Sequence, residues 1–253
     1  MKAKRKIKKS AIIFLAALLV LLAGILFFLF HKQQGLSAGR TYLKWQDEQD
    51  LDSVKSQVSA NRKAKIVEAY QNGNRSVFSL FSDSVLIGDS RVYGFNVFGF
   101  VDPDRVLADA GYTIRNIDDM VDAVRALQPE TIYLSFGVND MGLGIGEGEG
   151  ESGYGSVYEQ QVDKLLAVSP NSKIVINSII PVTPQTAAET PRWDKAQDYN
   201  EQLRELADRR GWVFVDNSEI SENGNMPYYA DDGIHFSDSF YPIWAANMVE
   251  AAL

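Results

Sequence analysis

Asp83-Ser-Val-Leu-Ile-Gly-Asp-Ser-Arg91 reads as a short buried strand running into a tight turn. Val85, Leu86 and Ile87 are three apolar residues in a row, two of them β-branched, which suits a covered, pleated strand. Gly88 is read as the strand's end, because glycine adopts the backbone angles that a sharp turn requires. Ser90 then stands just past the strand's carboxyl end, where open α/β sheets hold their ligands. A serine there is a candidate nucleophile. To act as one it needs a base, a group that orients the base, and donors for a developing oxyanion.

Working outward, short apolar runs alternate with longer amphipathic ones from about residue 76. Strands are expected at Ser84–Ile87, Val106–Asp109, Thr131–Phe136, Lys173–Ser178 and Trp212–Val215. Helices are expected at Ile117–Leu127, Val157–Val168, Asp194–Arg210 and Phe240–Ala251. Strands separated by helices of ten residues or more imply βαβ units and a mostly parallel sheet. Near-continuous apolar strands such as Ile174-Val-Ile176 suit a sheet covered on both faces. Residues 76–253 make one domain by length. Met141–Ser156, rich in glycine and glutamate, is expected to be a mobile loop following a strand end.

The N-terminus differs in kind. Lys2, Lys4, Arg5, Lys6, Lys8 and Lys9 precede Ala11–Phe30, an uncharged and strongly apolar run of 20 residues. That is about the length that crosses a bilayer as a helix, and the basic flank places the rest of the chain outside the cytoplasm. A cleaved signal peptide would have a shorter apolar core and a small-residue cleavage site; Gly35-Leu-Ser-Ala38 is a weak one. Residues 1–32 are therefore expected to be a basic tail and an uncleaved transmembrane anchor, and residues 33–75 a helical stalk or linker. A partner-binding role for the stalk stays open.

Residues 1–32 hold seven of the 25 basic residues and no acidic ones, leaving 18 basic against 33 acidic residues beyond them. So acidic a body is a poor partner for nucleic acid. The chain has no cysteine, which excludes disulfides, thiol catalysis and Cys-ligated metals. Two histidines leave little for a histidine-rich metal site. A cysteine-free exported chain points toward a Gram-positive bacterium.

His235, in Asp231-Asp-Gly-Ile-His-Phe-Ser237, is the only histidine of the body. If imidazole activates Ser90, His235 must be the base. Asp232 is three residues earlier, a spacing that on one turn lets a carboxylate face the ring and hold one nitrogen's proton while the other takes the serine's. Asp231 is the weaker alternative. Alone, such a histidine would be read as a packed or surface residue. Phe136-Gly-Val-Asn-Asp140 follows another strand, where the Asn139 amide is a candidate oxyanion donor or simply closes an Asx turn. Gly111 follows the second strand and could bring a backbone N–H close to a substrate oxygen.

Gly88-Asp-Ser90, Gly111, Gly137-Val-Asn-Asp140 and Asp232-x-x-His235, in this order, resemble the four blocks of the SGNH (GDSL-type) hydrolase family over roughly residues 80–250. The resemblance implies Ser90 as nucleophile, His235 as base and Asp232 as its orienter. It implies an oxyanion hole from the Ser90 and Gly111 backbone N–H groups and the Asn139 side chain. It further implies a flavodoxin-like three-layer αβα sandwich with five parallel strands, and ester cleavage, often of O-acetyl groups on sugars, without metal or cofactor.

Several readings follow. The first is a membrane-anchored extracellular esterase that removes acetyl or other small acyl groups from carbohydrate. The second is an O-acyltransferase of cell-surface polysaccharide, served by a membrane acyltransferase partner and using the same residues. The third is a non-catalytic carbohydrate-binding or assembly protein. The sequence lacks the final glycine of the G-x-S-x-G elbow. Arg91 could meet an anionic substrate or pair with one of the many carboxylates, and the pairing is expected. Of Pro181, Trp193, Tyr228, Tyr229, Tyr241 and Trp244, most are expected to pack, with Tyr228 or Tyr229 a candidate sugar contact.

Overall fold

The computed structural model describes residues 76–148 and 153–252, residues 18–28, and scattered positions between residues 14 and 73. The chain divides into two compact units, Met1–Ala64 and Lys65–Leu253. In the first unit residues 18–28 are helical; the remainder of the expected span 11–30, apart from Phe14, and nearly all of the expected stalk lie outside the described residues. Among the described residues no helix is long and apolar enough to cross a membrane.

The second unit carries five strands and seven α-helices of more than one turn among its described residues. In chain order they are β1 (Ser84–Gly88), α1 (Ser90–Val97), β2 (Val106–Ala108), α2 (Val121–Leu127), β3 (Thr131–Ser135), α3 (Val138–Leu143), α4 (Gly153–Val168), β4 (Lys173–Asn177), α5 (Pro184–Glu189), α6 (Ala196–Arg210), β5 (Val213–Val215) and α7 (Tyr241–Ala252). Every strand pair is parallel and the spatial order is β2-β1-β3-β4-β5. This is the flavodoxin-like order, whose direction of winding reverses between β1 and β3.

The period-2 alternation of strands sorts the core into two layers. Val85, Ile87, Ile132, Leu134, Ile174 and Ile176 face one side, against Val124 of α2, Tyr158, Val162 and Leu165 of α4, and Leu203 and Leu206 of α6. Leu86, Tyr133, Val175 and Val215 face the other, against Val92 and Phe95 of α1 and Tyr241, Trp244 and Met248 of α7. Helices on both faces explain why the central strands carry almost no polar positions.

Several boundaries differ from the sequence reading. Gly88 belongs to β1 and its φ is not left-handed. It is glycine for room: a Cβ would lie 2.3 Å from Val92 Cγ2 and 2.4 Å from the Ser135 carbonyl oxygen. The helix expected at Ile117–Leu127 is broken at Met120, with a 3₁₀ segment at Ile114–Asp119 before α2; the Thr113–Asn116 capping box tightens that first turn. The expected loop Met141–Ser156 is helical to Leu143 and again from Gly153. Its described turn is fastened: Glu147 accepts from Lys195 at 2.7 Å and Arg192 at 3.4 Å, and the Ile145 carbonyl from the Tyr199 hydroxyl at 2.7 Å.

Candidate active site

Asp89 is the N-cap of α1, its Oδ1 accepting the Arg91 N–H at 2.9 Å. Ser90 is therefore the first helical residue, at the positive end of the helix dipole and among N–H groups that have no acceptor within the helix. The strand order places the loop after β2, with Gly111, on one side of Ser90, and the first turn of α3, with Asn139, on the other. All three sit at the carboxyl rim of the sheet because the strands are parallel.

The fourth segment arrives from the far end of the chain. Tyr229 and Phe236 form an isolated antiparallel bridge, Ala230 N–H donates to the His235 carbonyl at 2.8 Å and Gly233 N–H to the Ala230 carbonyl at 3.0 Å. This tight loop presents Asp232 and His235 together. His235 Nε2 lies 2.9 Å from Ser90 Oγ, and its Nδ1 lies 2.6 Å from Asp232 Oδ2. The other oxygen, Asp232 Oδ1, accepts the N–H groups of Ile234 at 2.8 Å and His235 at 2.9 Å. Partial burial alone would raise the Asp232 carboxyl, but those bonds outweigh it and hold the group down at about 2. It is thus a carboxylate at neutral pH, held in three hydrogen bonds, and Asp231 makes none of them.

On the opposite side, Asn139 Nδ2 donates to the Tyr112 carbonyl at 2.8 Å. The amide has two N–H groups, and one of them anchors it there. The neighbouring Asp140, fully buried, accepts the Ile114 N–H at 3.0 Å. These two bonds join the segment after Gly111 to the first turn of α3, which carries Asn139. Burial pushes the Asp140 carboxyl up to about 7, with Asp89 adding to the rise and the Ile114 N–H and Tyr154 opposing it. Gly111 sits at φ 77° with open space where a side chain would be. Gly137 is required: its φ is 144° and a Cβ would lie 2.3 Å from Ile179 Cδ1.

The structure brings Ser90, Asp232 and His235 into one hydrogen-bonded line and sets Gly111 and Asn139 on the two segments that follow the neighbouring strands β2 and β3. It corrects other expectations. Arg91 is 4% exposed and bonds to backbone carbonyls, not to a surface carboxylate. Tyr229 donates its hydroxyl to the Pro181 carbonyl at 2.6 Å, so it braces the histidine loop and its polar tip is committed. Tyr228 packs on Phe240. As expected, Tyr241 and Trp244 are core residues, and Trp193 packs with its indole N–H donating to the Val138 carbonyl at 2.9 Å, bracing the start of α3. Asp140 escaped the sequence reading; the only available signal was its place beside Asn139. Among the described residues no group of three or more His, Asp or Glu side chains could hold a metal ion.

Residues 86–243 match the family model described as the GDSL-like lipase/acylhydrolase family. The chain belongs to this family. It is accordingly a serine hydrolase that acts on ester bonds. Solved structures agree in fold. A GDSL-like lipase from Bacteroides thetaiotaomicron is 20% identical, with a TM-score of 0.51 over 67% of this chain and 86% of that one. A protein from Streptococcus pneumonia, provisionally described as a platelet activating factor, is 19% identical, with a TM-score of 0.53 over 79% of this chain and 99% of that one. A comparison with curated proteins gives no match. In the GDSL-like chain, the block that names the family is Gly88-Asp-Ser90, with Arg91 and Val92 after it.

Proposed function

We propose that this GDSL-like hydrolase is an esterase that removes acetyl or another small acyl group from carbohydrate outside the cell, through an acyl-enzyme on Ser90. The observation that carries the mechanism is the unbroken line from Ser90 Oγ to His235 Nε2, at 2.9 Å, and from His235 Nδ1 to Asp232, at 2.6 Å.

In the first step Ser90 Oγ attacks the ester carbonyl and its proton passes to His235 Nε2. Asp232 keeps the Nδ1 proton in place and stabilises the imidazolium that forms. The carbonyl oxygen becomes an oxyanion facing the Ser90 and Gly111 N–H groups and the Asn139 side-chain amide. Collapse expels the sugar alcohol, which takes the proton back from His235, and leaves the acyl group on Ser90. Water repeats the sequence, His235 accepting its proton, and releases the carboxylic acid and the free serine.

Three features support the substrate class. The side chains of Asp232 and His235 are each 45% exposed, so the reacting bond can be carried on a large polar molecule that stays mostly in water. The acidic body disfavours anionic polymers. The apolar run 11–30 behind its basic flank suits an anchor that holds the second unit outside the membrane, with a Gram-positive cell surface the setting that fits a cysteine-free exported chain.

The test is acetate release by the full-length protein, purified in detergent, from acetylated polysaccharides and from 4-nitrophenyl acetate. Acetate from at least one glycan, lost in Ser90→Ala, is the expected result. Turnover of 4-nitrophenyl acetate with no acetate from any acetylated glycan would overturn the substrate assignment and leave the chemistry standing.

A further inference from the structure

The residue after Ser90 is more closely involved with the site than a packing residue would be. The Arg91 guanidinium is buried and all of its hydrogen bonds among the described residues go to main-chain carbonyls. Nε donates to Ile234 at 2.9 Å, one terminal nitrogen to Ile180, and the other to Pro181 at 3.3 Å. The same guanidinium lies over the Phe236 ring, 4.7 Å from its centre. Ile234 and Phe236 are the two chain neighbours of His235. Arg91 therefore grips the peptide on both sides of the imidazole that faces Ser90.

The backbone of Arg91 is equally engaged. Its N–H is held by Asp89, and its carbonyl accepts the Tyr241 hydroxyl at 2.9 Å. The arginine thus links the start of α1, the segment after β4, the start of α7 and the histidine loop. Burying a guanidinium is expensive unless its donors are satisfied. A methionine or leucine of similar volume would fill the space at less cost, but would not bind three carbonyls at fixed angles. Arg is the side chain whose planar, rigid fork can do so. Its neighbour Asp89 is also buried and makes no ion pair with it within 4 Å.

We propose that Arg91 is a positioning residue that sets where His235 Nε2 stands relative to Ser90 Oγ. The inference rests on the assignment of Ser90 and His235 as nucleophile and base. Ser90 and Arg91 are adjacent, so one short segment supplies both the atom that reacts and the clamp that fixes the base. Any movement of the start of α1 carries nucleophile and clamp together, and the 2.9 Å contact survives it.

The experiment compares Arg91→Lys and Arg91→Met with the unaltered full-length protein, using steady-state kinetics on 4-nitrophenyl acetate. Two further readouts are the rate of fluorophosphonate labelling of Ser90 and the low-field proton resonance of His235 Nδ1–H, assigned by its loss in His235→Ala. An error of about 1 Å in placement can cost about 10²-fold in rate. Arg91→Met is expected to lose kcat and labelling rate together, by roughly 10- to 100-fold, with KM changed less than about threefold. Arg91→Lys can satisfy at most part of the carbonyl set and should fall between, with the His235 resonance shifted. Circular dichroism and thermal melting identify which variants are folded; if Arg91→Met is not, Arg91→Lys decides. A folded variant with unchanged kcat, labelling rate and resonance overturns the proposal. Activity persisting in Ser90→Ala would instead overturn the nucleophile assignment, whatever the Arg91 variants do.

Discussion

Asp140 Oδ1 accepts the backbone N–H of Ile114 at 3.0 Å, joining the loop after β2 to the helix after β3 beneath the site. Asn139 makes the second tie between the same two segments through the Tyr112 carbonyl. The two flanks of Ser90 are therefore fixed to each other as well as to the sheet, and the loop bearing Gly111 and the start of α3 bearing Asn139 keep one spacing.

A buried carboxyl that titrates near about 7 gives the fold a pH dependence of definite sign. Between about pH 4 and 7 the folded chain holds a proton on Asp140 that the unfolded chain has lost. Stability from this group is full below the unfolded value and declines as pH rises through the window. Asp140→Asn should flatten that decline, as measured by urea denaturation at pH 4, 5, 6 and 7. Parallel curves for the variant and the unaltered chain would show that Asp140 is ionised throughout.

Asp232 works in the opposite direction. Its carboxyl is held at about 2, below the unfolded value, so its contribution is present above about pH 4 and disappears as pH falls toward 2. Asp232→Asn should remove that acid-limb dependence. The same substitution should lower kcat for 4-nitrophenyl acetate by up to about 10⁴-fold, because an amide can leave the imidazole in the wrong tautomer. Loss of less than tenfold would assign the orienting role elsewhere.

Asn139→Ala removes both the tie to Tyr112 and the proposed side-chain oxyanion donor. Loss of one oxyanion donor lowers kcat by about 10²–10³-fold. Fluorophosphonate labelling, which also builds charge on an oxygen in that position, should slow alongside kcat. Unaltered labelling with slow turnover would place Asn139 outside the oxyanion hole.

Gly88→Ala should be costly despite its size. The added methyl would meet Val92 Cγ2 at 2.3 Å and the Ser135 carbonyl at 2.4 Å, forcing β1, β3 and α1 apart. Overpacking of this kind costs about 1–3 kcal/mol, and the shift falls directly under Ser90. Chemical denaturation and kcat should therefore change together. Gly111→Ala at the open, left-handed position offers the contrast, with backbone strain and no clash.

Much of this architecture is legible in the chain. Val85, Ile87, Ile132, Leu134, Ile174 and Ile176 are apolar in step because the sheet is covered on both faces, and their spacing marks the three central parallel strands. Ser90, Asn139, Asp232 and His235 are legible as a set because each follows or precedes a strand or turn signal. Helix α1 is not, since Ser90-Arg-Val-Tyr-Gly-Phe-Asn-Val97 has weak helix formers at every position but Arg91; it forms through the Asp89 cap and the burial of Val92 and Phe95. The destination of Arg91 is illegible for a different reason. A long side chain's partners are set by Ile180, Pro181 and Ile234, which lie some 90 and 140 residues away.

The measurement closest to the central claim is fluorophosphonate labelling of the full-length protein with mass-spectrometric location of the adduct. One adduct on Ser90, abolished in Ser90→Ala and slowed in His235→Ala, together with loss of 4-nitrophenyl acetate hydrolysis in both variants, is the predicted result. An adduct on any other residue, or hydrolysis undiminished in Ser90→Ala, would contradict it.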